Sequence, residues 1–276
     1  MEVLILPDAA AVARRAADIV EAQIEARCDS VLGLATGSSP VGLYDELARR
    51  HREHGLCFAG VSSFNLDEYV GIPPEHPQSY RTFMKRSFFD HVDIDLARTH
   101  VPHGMAENPL EEGPRYEELI RAAGGIDLQV LGIGSDGHIG FNEPTSSLRS
   151  RTRVKTLTKQ TLEDNARFFD ADEFQPRLAI TMGIGTIMKA RRILLIATGE
   201  GKAEAIRDTV EGPLAALVPA SVLQMHEKTT ILLDEGAASG LRLRDYYQFV
   251  STIQDDLVKK FRPSDLPERK QGWREE

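Results

Sequence analysis

Short apolar runs of four to six residues alternate with helix-period segments along this chain, and no other feature restricts the fold as much. Val31–Ala35, Val61–Asn65, Leu128–Ile133, Leu178–Met182, Ile193–Thr198 and Thr230–Leu233 read as strands, each shorter than an ordinary helix. Between several of them apolar residues return every three or four positions. Ala9, Val12, Ala16, Ile19, Val20 and Ile24 form such a stripe over residues 8–27, and Val41, Tyr44, Leu47 and Ala48 form another. Helices that alternate with strands in this way imply an α/β fold, a largely parallel sheet with helices on both faces.

At 276 residues and 41% hydrophobic content the chain can build one large core. It holds no internal repeat and no low-complexity linker, so a single domain is expected over residues 1–261. The polar stretch of about 140–177, rich in Ser, Thr and Arg, is expected to serve as a lid bounded at about 145–178. Residues 262–276, RPSDLPERKQGWREE, combine two prolines with many charges and read as an extension that carries no chemistry.

Composition excludes several partners. A net charge of −9 argues against nucleic acid, which is held by clustered Lys and Arg. A small phosphorylated ligand needs only a few local donors, whatever the overall charge. The opening MEVLILPDAA has too few apolar residues for a secretory leader, and no run reaches the roughly 20 residues of a membrane span. Cys28 and Cys57 form no C-x-x-C pair, so neither a disulfide framework nor a cysteine-held zinc is expected, and a reducing cytoplasm fits.

Ligands of an open parallel sheet collect beyond the carboxyl ends of its strands, which directs attention to four loops. In Thr36-Gly37-Ser38-Ser39-Pro40, the glycine permits close backbone approach, Ser39 is placed as the helix N-cap and Pro40 as the first helical residue. An anion loop and an ordinary capped helix start both fit it. Gly199-Glu200-Gly201-Lys202-Ala203 is no P-loop, because Ile196 stands where that motif needs a glycine. A cation at a helix N-terminus is readily explained by an anion between them, and otherwise Lys202 is a solvated surface lysine.

The third loop, Gly132 to Pro144, matches the dinucleotide fingerprint in its glycines alone. Gly140 and Pro144 break the required helix, and no acid follows at the right distance. It does place Asp136, His138 and Glu143 within eight residues. A histidine flanked by carboxylates suits acid/base work near neutral pH; a metal site and a plain polar turn are the competing readings, although no second histidine or cysteine pattern accompanies them. In the fourth loop Asp67 follows the run Val61–Asn65, where a carboxylate faces either a ligand or a turn.

Taken together, FNLDEYVGIP, HPQSY, GSDGHIGFNEP and SRTRVKTLT resemble, in order, signatures of the glucosamine-6-phosphate deaminase family, with similarity from about residue 1 to about 250. The resemblance implies a Rossmann-like domain with a lid. It also implies a hydrolase of amino-sugar catabolism that isomerises and deaminates glucosamine 6-phosphate to fructose 6-phosphate and ammonia, without metal or organic cofactor. On that basis Asp67 is the base at C1 and C2, His138 assists ring opening, and Asp136 and Glu143 orient it. Thr36, Gly37, Ser38, Ser39, Arg167 and Lys202 would hold the phosphate. The related 6-phosphogluconolactonases and sugar-phosphate sensors of transcription regulators are the alternatives within the fold. Many members of the family are hexamers, which implies a homo-oligomer here. Ser146, Arg153, Lys155 and Thr156 match the residues with which some members bind an N-acetylglucosamine 6-phosphate activator between subunits. Gln248 stands where those members have a tyrosine, with Tyr246 and Tyr247 out of register, so the anion pocket is expected with weak or no activation.

Overall fold

The computed structural model describes residues 1–158, 162 and 174–260, with side chains as far as Ile253. The chain opens with strand β1 (Glu2–Leu6) and helix α1 (Ala9–Ala26), whose N-cap Asp8 accepts the Ala11 N–H at 2.7 Å. Next come β2 (Val31–Leu34), α2 (Val41–His54), β3 (Ser62–Asn65) and β4 (Asp67–Tyr69). They are followed by α3 (Tyr80–Ser87), β5 (Thr99–His100) and α4 (Pro109–Ala122), which starts on an Asn108 cap with Pro109 in its first turn. The second half supplies β6 (Leu128–Leu131), β7 (Arg153–Thr156), β8 (Leu178–Thr181) and the single turn α5 (Ile184–Ile187). It closes with β9 (Arg192–Ala197), α6 (Ala203–Val210), β10 (Thr229–Asp234) and α7 (Arg244–Lys260).

Seven strands form one parallel sheet in the order β1-β10-β9-β6-β2-β3-β5. Their side chains alternate between two cores. Leu32, Leu34, Val130, Leu194, Ile196 and Leu232 pack with Val12, Ala16, Val20 and Leu47 of α1 and α2. Val31, Leu131, Ile193, Leu195, Ile231 and Leu233 pack on the opposite face with Tyr116 and Ile120 of α4 and Ile206 of α6. This period-two division is what a sheet covered on both faces requires.

From β2 the chain proceeds outward through β3 to β5, whereas from the adjacent β6 it proceeds the other way through β9 to β10. β2 and β6 therefore flank the point at which the winding reverses, and the loops beyond them enclose a crevice.

Two details differ from the sequence reading. Leu178–Met182 does not join the parallel sheet: β8 lies between β4 and β7 in a separate antiparallel sheet of three strands. An apolar run specifies burial but not its partner strand. Ser39 does not cap α2, whose cap position is taken by Pro40 without a side-chain bond. Ser39 lies against Gly132 instead, close enough that a Cβ there would lie 3.5 Å from its Oγ.

Candidate active site

The loop after β6 is folded back on itself by its glycines. Gly137 (φ 81°) and Gly140 (φ 57°) adopt left-handed conformations, and a Cβ on Gly134 would come within 2.3 Å of the His138 ring. Buried Ile139 and Asn142 anchor the turn: Asn142 Nδ2 donates to the carbonyls of Ile139 (2.9 Å) and Met182 (2.7 Å). These constraints leave His138 half-buried with Nδ1 2.7 Å from Asp136 Oδ1 and 3.4 Å from Glu143 Oε2. Burial alone would disfavour the imidazolium, but the two carboxylates outweigh it and raise the His138 pKa to about 9. The histidine in turn holds Asp136 well below the usual carboxylate range.

Asp67 lies at the start of β4, only 5% exposed. Its carboxylate has few donors: Thr181 Oγ1 of β8 lies 3.5 Å from Oδ2 and itself accepts the Phe141 N–H at 3.1 Å. Gly140 packs so tightly that a Cβ there would sit 3.2 Å from the same carboxylate oxygen. Burial, reinforced by the charge of neighbouring Glu68, raises Asp67 to about 7, although His138 pulls it the other way. A carboxylate poised near neutrality beside an imidazole that stays charged is a matched base and acid.

Gly37 (φ 93°) and Ser38 are exposed at the mouth of the crevice, with Thr36 and Ser39 half-buried behind them. Tyr44 fixes the start of this loop by donating its hydroxyl to Ala35 O at 2.6 Å. Across the crevice, Lys202 lies in a 3-10 turn just ahead of α6 and not in its first turn. Burial lowers its pKa while Asp136 opposes that shift, which places the ammonium within electrostatic reach of the same carboxylate. The structure thus gathers Thr36, Gly37, Ser38, Ser39, Asp67, Asp136, His138, Glu143 and Lys202 around the carboxyl ends of β2, β3, β6 and β9. Arg167 lies outside the described residues, as do the greater part of residues 159–173 and residues 262–276.

The segment Ser146–Thr158 sits beside the site. Ser146 is buried one turn after Glu143, and its Oγ has no hydrogen-bond partner among the described residues. Strand alternation puts Arg153 and Lys155 on one face of β7 and Thr156 on the other, so only the two cations share a face. Arg153 Nη1 donates to Asn142 Oδ1 at 2.9 Å, tying β7 to the residue between Phe141 and Glu143. Gln248, Tyr246 and Tyr247 are carried by α7.

Sequence reasoning passed over Thr181 and Glu68. Thr181 has a visible signal, a lone hydroxyl in the apolar run LAITM, whereas Glu68 has none beyond its adjacency to Asp67. The ligand atoms of Asp136, His138 and Glu143 lie within 4.8 Å of one another, a spacing that a metal ion could also use. Both carboxylates nevertheless approach the same Nδ1, an arrangement that orients a proton-bearing ring.

A family model for glucosamine-6-phosphate isomerases and 6-phosphogluconolactonases matches residues 7–232. A glucosamine-6-phosphate deaminase from Shewanella woodyi is 56% identical over 96% of this chain and 100% of its own length. One from an Arthrobacter species is 57% identical over 90% and 95%. A solved monomeric glucosamine-6-phosphate deaminase superposes with a TM-score of 0.84 at 43% identity, covering 87% of this chain and 100% of its own. A 6-phosphogluconolactonase from Trypanosoma cruzi, at TM-score 0.69 and 20% identity, shares the fold.

Proposed function

The chain belongs to the glucosamine-6-phosphate isomerase/6-phosphogluconolactonase family, and we propose that it isomerises and deaminates glucosamine 6-phosphate, giving fructose 6-phosphate and ammonia. The observation that carries this reading is the pairing of buried Asp67, poised at about 7, with His138, raised to about 9, in one crevice. His138 bears a proton at neutral pH and delivers it to the ring oxygen as the pyranose opens, and the imidazole regains a proton as the C1 hydroxyl loses its own. Asp67 then takes the C2 proton and returns it to C1, while the C1 oxygen gains a proton and the nitrogen loses one, which leaves an imine at C2. Water adds there and ammonia departs, so one water is consumed for each ammonia released. Asp136 and Glu143 keep the imidazole charged and oriented. Gly140, Thr181 and Phe141 shape the dry wall against which Asp67 works.

Thr36, Gly37, Ser38, Ser39 and Lys202 receive the phosphate at the mouth of the crevice, with Arg167 as a further cation. Segment 145–178 acts as the lid that excludes water until the proton has moved. A lactonase would need only to activate water. Among the described groups, a base of raised pKa facing an imidazolium favours carbon-acid chemistry instead.

The water consumed makes the enzyme a hydrolase, and the sugar-phosphate substrate fits a cytoplasmic location; no helix among the described residues is long and apolar enough to cross a membrane. It forms a homo-oligomer, a reading supported by exposed Leu243 just ahead of α7 and the stripe Tyr246, Phe249 and Ile253 along it. The 43% identical monomeric relative shows that this fold does not demand assembly. Ammonia release from glucosamine 6-phosphate, run beside acid release from 6-phosphogluconolactone, tests the activity: release of acid without ammonia would overturn it.

A further inference from the structure

A second cavity, of about 690 Å³, opens between α3, β5 and the middle of α4, away from the crevice at β2 and β6. Its volume is in the range of small-molecule sites, roughly 300–1,000 Å³. At one end Arg81 and Arg115 both act on His100, whose charged form is held down first by burial and then by these two cations. Arg115 is fixed by Glu112, which accepts from Nε at 2.5 Å and from Nη2 at 2.6 Å. Arg81 is different: its guanidinium reaches only the Thr99 carbonyl, at 3.2 Å, and meets no carboxylate among the described residues.

The carboxylate in the cavity floor does not compensate. Glu68 is 3% exposed and already accepts the N–H groups of Tyr69 (2.9 Å), Tyr80 (3.0 Å) and Arg81 (3.1 Å) and the hydroxyl of Ser79 (2.7 Å). The remaining acids of the lining, Glu75 and Asp90, are exposed, and Asp90 faces Lys85 at 3.9 Å. A fixed arginine, an arginine with spare donors and an imidazole whose charged form is disfavoured thus line one cavity. Guanidinium forks match the geometry of an oxyanion, phosphate or carboxylate.

We propose that this cavity is a second binding site, for a small oxyanion-bearing metabolite held by Arg81, His100 and Arg115. It is distinct from the crevice, because Asp67 and Glu68 are adjacent on β4 and alternate strand positions point to opposite faces. The occupant of this site neither competes with the sugar phosphate nor uses its phosphate loop.

The test follows the imidazole resonance of His100 by NMR in the full chain, assigned through His100→Gln. Inorganic phosphate and citrate are titrated in separate arms against potassium chloride of matched ionic strength. The expected result is a saturable shift of the His100 signal with at least one oxyanion and none with chloride; the arm that saturates at lower concentration identifies the phosphate or carboxylate class. Arg81→Gln should raise the midpoint about tenfold, the worth of one charge-assisted contact, while kcat and KM for glucosamine 6-phosphate stay unchanged. Its backbone N–H to Glu68 survives the substitution, and the wild-type titration stands without the variant. No saturable shift with either oxyanion, or an unchanged midpoint in Arg81→Gln, overturns the site, and neither outcome depends on whether ammonia is released.

Discussion

Asp67→Asn separates what the carboxylate does for the reaction from what it costs the fold. The amide retains the shape of the side chain and its approach to Thr181 but accepts no proton, so turnover should fall by about 10² to 10⁴ while sugar-phosphate binding persists. Stability should move the other way. Burial raises the carboxyl from 3.8 to about 7, so the folded protein retains a proton that the unfolded chain has already released. Stability therefore falls as pH rises through this window, and the loss is complete once pH exceeds the folded value. With a shift of this size, linkage gives a penalty of about 2 kcal/mol at pH 5 and about 4 kcal/mol at pH 8, as orders of magnitude. Denaturant unfolding of both proteins at the two pH values measures it. Asp67→Asn should gain on wild type by about 2 kcal/mol between pH 5 and pH 8. A stability difference that does not change with pH would refute the buried, proton-holding base, and normal turnover would move the base to another residue.

Further outcomes follow from the same geometry. The pH profile of kcat/KM should be bell-shaped, rising as Asp67 ionises near about 7 and falling as His138 loses its proton near about 9; a flat profile between pH 6 and pH 10 would contradict both assignments. Lys202→Ala should raise KM for the phosphorylated sugar with little change in the unfolding midpoint, and an unchanged KM would return this lysine to a solvated surface role. Thr181→Val keeps the strand's shape but removes the hydroxyl between Phe141 N and Asp67, so it should lower kcat and move the acidic limb of the profile upward; an unmoved limb would make Thr181 a packing residue. Initial rates with and without N-acetylglucosamine 6-phosphate should differ little, since Gln248 replaces the expected tyrosine and Thr156 faces away from Arg153 and Lys155; a sigmoidal curve made hyperbolic by that ligand would reverse this expectation.

The parts of this molecule legible in its sequence are those whose cause is local. Buried parallel strands must be apolar on both faces, so β2, β6, β9 and β10 stand out as apolar runs. The strands β4 (DEY), β5 (TH) and β7 (RVKT) are too short and polar to carry any pattern, so nothing in the sequence marks β8, which pairs with β4 and β7, as lying outside the parallel sheet. Asp136, His138 and Glu143 were legible because eight residues on one glycine-bent loop cannot be far apart.

Asp67 shows where such reading ends. The sequence identifies it as a carboxylate beyond a strand, but its pKa depends on Thr181, 114 positions away, and on Gly140, whose missing side chain lets the loop close over it. Glu68 carries the same acid one residue later, and β4 turns it to the other face, where four donors stabilise its charge. Asp67 has weaker support, the Thr181 hydroxyl at 3.5 Å and the Phe141 N–H. Burial raises the pKa of both carboxylates, but Glu68 has four donors to offset it and Asp67 has few, so Asp67 is pushed up to about 7. The carboxylate with fewer donors is the one suited to exchange a proton near neutral pH, because the neutral acid relieves its burial most.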